Sequence, residues 1–255
     1  ALVGNGGNDT VMGNGGDDLV SGGDGDDSID GGEGSDFLDH YYIIAEFGQG
    51  PGPVTVDLVA GTVTGQGSDV ISNIEGADGT PGNDTLIGND ENNEFTQTFE
   101  GDDTIRGAGG DDLIDGGDGN DTLDGGPGID LVGHFDHTVA VTINLTAGTA
   151  VGDGSDVLLG FEEVLGSFEN DTITGDASAN LLMGAPGDDT ISGLAGDDEL
   201  IGEGFGFPAG EGNDTLDGGD GNDACDGETE TNCESDPSTE TNPLAAAAMR
   251  YGNRI

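Results

Sequence analysis

Between residues 4 and 39 an aliphatic side chain returns every ninth position, at Val11, Val20, Ile29 and Leu38. The intervals are polar and glycine-rich and divide without a gap into GNGGNDTVM, GNGGDDLVS, GGDGDDSID and GGEGSDFLD. Glycine holds positions one and four, aspartate position six and an aliphatic residue position eight. The phase returns at 79–87, from 98 to 133 and from 166 to 201, and after an interruption at EGFGFPAGE it ends with GNDTLD and GGDGNDACD. Its later inward positions are Leu86, Ile105, Ile114, Leu123, Val132, Ile173, Leu182, Ile191, Leu200, Leu216 and Cys225. A polar-apolar-polar triplet predicts a very short strand with one side chain inward, and the GGxGxD half predicts a tight turn with backbone in glycine-only territory. Two nonapeptides then make one flattened coil of two strands and two turns. Coils stacked about 4.8 Å apart pair as parallel ladders and place Asp9 over Asp27 and Asp18 over Asp36.

A longer repeat overlies the first. Residues 54–88 match residues 141–175 without gaps at an offset of 87, as in VTVDLVAGTVTGQGSDV and VTINLTAGTAVGDGSDV. Val54, Val56 and Leu58, like Val141, Ile143 and Leu145, alternate with polar residues, the mark of half-buried strands. The chain therefore divides into a repeat block at 1–39, a strand insert at 40–78, a block at 79–133, a second insert at 134–165, a block with a terminal cap at 166–234, and a tail at 235–255 that is either loose or a short capping helix over its alanines. The opening ALVG reads as the end of an earlier repeat, so the expectation is that the natural N-terminus lies upstream.

Charge changes the picture. The 255 residues carry 54 acids against three arginines and no lysine, a formal net charge of −51. Such a chain repels itself and stays unfolded unless something cationic neutralises it. Nucleic acid, which needs a basic footprint, is excluded as a partner, as are anionic membranes. No apolar run is long enough for a membrane-spanning helix, so membrane insertion is not expected. Stacked aspartates need a hard cation between them, and oxygen-only ligation at irregular geometry favours Ca²⁺ over Mg²⁺.

The motif G-G-x-G-x-D-x-U-x resembles the nonapeptide of the RTX (hemolysin-type calcium-binding) family, a parallel β-helix repeat. The resemblance covers roughly 150 residues, and the inserts resemble the strand segments found between RTX blocks. It implies an all-β, right-handed parallel β-roll or β-solenoid with calcium between stacked loops, interrupted by two strand inserts. Carried over by position, the ligands would be Asp9, Asp18, Asp27, Asp36, Asp84, Asp103, Asp112, Asp121, Asp130, Asp171, Asp189, Asp198, Asp214 and Asp223, together with loop carbonyls. The pattern departs at Asn93 and Asn180, where the aspartate is missing, at Glu169, which replaces a loop glycine, and at Gln97, which adds a residue.

No HExxH helix, GxSxG elbow or phosphate loop is present, and EF-hand spacing fails at DGNDTLDG, so an enzyme is not expected. His134 and His137 with Asp136 between them read as a segment leading into a strand, as His40 does after Asp36. The N-D-T triplets at Asn8, Asn83, Asn120, Asn170 and Asn213 form sequons only because the repeat favours them. Outward threonines at position seven (Thr10, Thr85, Thr104, Thr122, Thr172, Thr190, Thr215) are broken by Leu19, Ser28, Phe37 and Leu113, which argues against an ice-binding array. Cys225 and Cys233 fit either a disulfide of an exported protein, stapling the last coil, or two small residues that happen to be close. The functional expectation is a secreted or cell-surface structural or adhesive module that folds on calcium, with self-assembly end to end or a cell-surface partner. The alternative is the calcium-folding and secretion portion of a larger exoenzyme or toxin whose active domain lies upstream.

Overall fold

The computed structural model describes residues 1–40, 52–96, 99–134, 138–152, 154–203 and 212–234. The tail at 235–255, Gln97, Asp136, His137 and most of the interruption after Gly202 lie outside these residues. Those described are all β, with no helix among them. The chain divides into two compact units, Ala1–Gly128 and Ile129–Ile255.

In the first unit alternate nonapeptides feed opposite sheets. Leu2–Val3, Leu19–Ser21, Phe37–Leu38, Gly76–Asp78, Glu94–Thr96 and Leu113–Ile114 follow one another in one sheet. Thr10–Met12 and Ser28–Asp30 open the other, which ends with Thr85–Ile87, Thr104–Arg106 and Thr122–Asp124. Register is in steps of one coil: Val11 pairs with Ile29, Leu19 with Phe37, Ile105 with Leu123. All fifteen inward residues of position eight are buried. Phe95, the inward residue of the degenerate repeat 88–96, joins them.

The insert is built into the sheet rather than beside it. Thr55–Asp57, Thr62–Thr64 and Ser68–Ser72 form an antiparallel meander. Its last strand pairs in parallel with the preceding coil (Ile29 with Ile71) and its first with the following coil (Val56 with Leu86). The parallel ladder thus continues on both sides. Alternating Val54, Val56 and Val63 bury the inner face. At its start, buried His40 is held by Asp78, whose Oδ1 accepts the His40 main-chain N–H and faces Nδ1 at 3.1 Å. Burial pushes the imidazole pKa down, but the hydrogen bond and charge of Asp78 outweigh it and the net shift is upward.

The second unit repeats the plan. Thr142–Asn144, Thr149–Val151 and Ser155–Leu159 make the meander, with Ile143 paired in parallel to Ile173. The companion sheet runs Leu131–Gly133, Glu163–Leu165, Leu181–Met183, Glu199–Ile201 and Ala224–Asp226. Its first three strands are buried at every residue, including Leu131, Leu165 and Met183 on the face turned away from position eight. One inward side chain per repeat is therefore too simple a reading there. Cys225 and Cys233 are joined by a disulfide, with Cα atoms 5.9 Å apart.

The threonine pattern also needs correcting. Leu19, Phe37 and Leu113 interrupt it only in sequence, because they belong to the other sheet. Thr55, Thr85, Thr104 and Thr122 are successive partners in the first unit, as are Thr142, Thr172, Thr190, Thr215 and Thr229 in the second.

Candidate metal centres

Each turn is shaped by its glycines. A Cβ at Gly22, position one, would run into Oδ2 of Asp27 in the same repeat. Gly23, position two, has φ +91° and lies against the carbonyl oxygen of Asn5 one coil earlier, so a side chain there meets both a conformational and a steric barrier. The loops stack as tightly as the strands: Asp24 N–H donates to the Asn5 carbonyl at 2.7 Å, and Gly7 N–H to the Asp24 carbonyl at 2.8 Å.

Position-six side chains reach back one coil through Oδ1. In the first unit Asp9 N–H donates to Asp27 and Asp18 N–H to Asp36, both at 2.8 Å. Asp84 donates to Asp103, Asp103 to Asp121, and Asn93 to Asp112, at 2.7–2.8 Å. In the second, Asp171 donates to Asp189, Asp189 to Asp214, Asn180 to Asp198 and Asp198 to Asp223, at 2.7–2.9 Å. Every aspartate carried over by position is buried except Asp9 and Asp18, which are half-buried.

The other oxygen sorts the loops into two kinds. For Asp9, Asp27, Asp36, Asp189, Asp198, Asp214 and Asp223, Oδ2 is buried and has no hydrogen-bond partner among the described residues. In six of these seven repeats position two has positive φ: Asn5, Gly23, Gly32, Ala185, Leu194 and Gly219. Asp214 is the exception, with Glu203 at that place. In the second kind of loop the position-two N–H turns inward and closes on position six. Thr80 N–H donates to Asp84 Oδ2 at 2.5 Å and its hydroxyl to Oδ1 at 3.0 Å. Ser167 repeats this on Asp171 at 2.6 and 2.8 Å. Asn89 N–H donates to Asn93 Oδ1 at 2.7 Å and Asp176 N–H to Asn180 Oδ1 at 2.8 Å, while Nδ2 of each asparagine donates to a carbonyl one coil earlier, that of Glu75 or Glu162. Asp84 and Asp171 thus have both oxygens occupied by protein donors, unlike Asp9, Asp27, Asp36, Asp189, Asp198, Asp214 and Asp223.

Residues outside the nonapeptide consensus complete the ladder. Asp69 Oδ1 accepts the Asp27 N–H at 2.9 Å and Glu75 Oε2 the Asp36 N–H at 2.7 Å. Glu162 Oε2 does the same for Asp130, Glu228 Oε2 for Asp214 and Glu234 Oε2 for Asp223. The offset of 87 could have found some of these, since it pairs Asp69 with Asp156 and Glu75 with Glu162. A second, exposed ladder at position five runs the opposite way: Asp26 N–H donates to Asn8 Oδ1, Asp188 to Asn170 and Asn120 to Asp102. The recurrent asparagine of N-D-T is therefore structural.

Electrostatics follow from the stacking. Asp189 is pushed up to about 7 by burial, with the charges of Asp171, Asp214 and Glu203 adding to it. Burial also raises Asp198 and Asp214, with like charges contributing. The donor set fits a calcium ion on three counts: it is all oxygen, its outer carboxylate oxygens are buried without a proton donor, and the glycine beside each leaves space that a Cβ would fill. Bound between loops, the ion would offset the like charge that the stack concentrates.

A family model for the RTX calcium-binding nonapeptide repeat (4 copies) matches residues 3–38, 78–96, 97–132, 160–191 and 209–231, more than half of the chain. No curated protein matches it.

Proposed function

The chain belongs to the RTX calcium-binding nonapeptide repeat family and is a calcium-binding β-roll, and we propose that it serves as an extracellular structural module which the ion itself folds. The observation that carries this reading is the row of buried Oδ2 atoms without donors. Such a stack is costly as it stands and stable once a divalent cation joins neighbouring loops. Asp9, Asp18, Asp27, Asp36, Asp103, Asp112, Asp121, Asp130, Asp189, Asp198, Asp214 and Asp223 hold the ions together with loop carbonyl oxygens. Asp84 and Asp171 instead brace the first turn after each insert and bind none.

Extracellular modules of this kind bind calcium at roughly 0.1–1 mM, concentrations met outside cells and not in the cytosol. The chain would then stay unfolded during export and set on arrival. No helix of the described residues is long and apolar enough to cross a membrane. The module acts as a spacer or adhesive segment and carries no catalysis of its own. End-to-end association is part of the proposal: Thr229–Thr231 is exposed throughout and, among the described strands, pairs only with Thr215–Asp220, leaving an edge for another strand.

Limited proteolysis of the whole chain, with calcium near 1 mM or with chelator, tests the reading. Protection with calcium and complete digestion without it are expected. Equal resistance in both would contradict it. Fractionation of the source cells tests the location, and a predominantly cytosolic pool would overturn that part. Sedimentation velocity in calcium tests self-association, which predicts a mass that rises with concentration.

A further inference from the structure

The last turn of one ladder differs from the others. In the repeats around Asp9, Asp27, Asp36, Asp189, Asp198 and Asp223, position two holds Gly, Asn, Ala or Leu and brings no carboxylate. Before Asp214 that place is taken by Glu203, directly after Gly202. The coil beyond has no nonapeptide aspartate, and Glu228, between Ala224–Asp226 and Thr229–Thr231, takes the role. Its Oε2 accepts the Asp214 N–H at 2.9 Å. One ligand oxygen each from Glu203, Asp214 and Glu228 lies within 4.8 Å of the other two.

A group of acids alone is no site, but Asp214 adds an independent observation. It is completely buried. Its Oδ1 accepts the Asp189 N–H, and its Oδ2 has no hydrogen-bond partner among the described residues. A Cβ at Gly202 would run into that Oδ2, so the oxygen is aimed at the backbone from which Glu203 projects.

We propose that Glu203, Asp214 and Glu228 form a calcium site of separate composition, which fills before the sites between repeats. A site between two repeat loops has one position-six carboxylate from each, two in all, whereas this site gathers three, and ligand charge count is a main determinant of calcium affinity. Three carboxylates without nitrogen or sulfur suit Ca²⁺ over Mg²⁺ or zinc. The proposal rests on the reading that Asp214 is a calcium ligand as in the repeats. It adds that Glu203 and Glu228 are ligands too, which no repeat position implies.

Calorimetric titration of the full chain with calcium tests it, comparing wild type with Glu203→Gln, Glu228→Gln and the double variant. The wild type should show one tight equivalent ahead of the main class. Each single variant should weaken that equivalent by roughly tenfold or more and leave the main class unchanged. Glutamine at 228 keeps an acceptor oxygen for the Asp214 N–H. Glu203→Gln leaves every ladder acceptor in place, so it carries the test if the double variant does not fold. A tight equivalent that persists in both single variants, or a wild type with one uniform class, overturns this site while leaving the repeat sites standing. A wild type that takes up no calcium overturns both.

Discussion

Oδ1 of Asp27 accepts the main-chain N–H of Asp9 at 2.8 Å, while Oδ2 of the same carboxylate lies buried beside Gly22 with no donor. One side chain thus performs two tasks: it fixes the register between coils and holds a ligand oxygen ready between loops. Asparagine keeps the first and removes the second. Asp27→Asn should lower calcium uptake in calorimetry while making the chelated protein easier to fold, because Nδ2 supplies a donor where the carboxylate supplied charge. Asn93 and Asn180 show that an amide is accommodated at position six: Oδ1 accepts from its own repeat and Nδ2 donates to a carbonyl one coil earlier. Unchanged calcium uptake in Asp27→Asn would refute the assignment.

Asp84 should behave in the opposite way. Its oxygens accept from Thr80 N–H, Thr80 hydroxyl and Val54 N–H. Asp84→Asn puts an amide donor against those donors and should cost about 1–3 kcal/mol in denaturant unfolding at saturating calcium. The number of calcium ions bound should stay the same. Loss of an ion would show that the closed turn opens to bind metal.

Gly23→Ala separates backbone from ligand chemistry. No carboxylate changes, yet φ +91° and the neighbouring Asn5 carbonyl leave no room for a methyl group. The left-handed conformation alone costs roughly 1–2 kcal/mol, and moving the stacked loop adds to it. Calcium affinity of the first block should fall with stability. A variant as stable as wild type in calcium would mean that the turns are not packed as described.

The pH dependence follows from Asp189, held at about 7 in the folded chain without metal against an ordinary value of 3.8. Between these values the folded chain carries more protons than the unfolded one. Metal-free stability is therefore lost as pH rises through about 7 and gained as pH falls towards 3.8. Calcium competes with the same proton, so its apparent affinity should weaken on acidification across that window. The residual β signal of chelated protein and the apparent calcium affinity, each measured on both sides of the window, should move in opposite directions. A residual β signal that rises with pH would contradict the linkage.

The core was legible because its signal is one residue type at one phase: every aliphatic or cysteine at position eight, from Val11 to Cys225, is buried. The ladder was legible as far as the consensus aspartate reaches. Asp69, Glu75, Glu228 and Glu234 escaped because they reach the same backbone donors from segments out of phase with the nonapeptide. The two kinds of loop could not be read from residue type. Asn5 and Asn14 at position two have φ of 76° and 73°, whereas Asn89 at the same place turns its N–H onto Asn93. The choice depends on what position six offers and on the insert packed before it. The threonine columns were obscured for a topological reason, since neighbouring repeats in sequence lie on different sheets and only every second one shares a face.

The central claim is that the cation makes the fold. A far-UV circular dichroism titration of chelated protein with calcium, with magnesium as control, tests it most directly. The account predicts little β signal in chelator, a cooperative gain with calcium and none with magnesium. A β spectrum already complete in chelator would contradict it, because the buried carboxylate ladders would then stand without the ion.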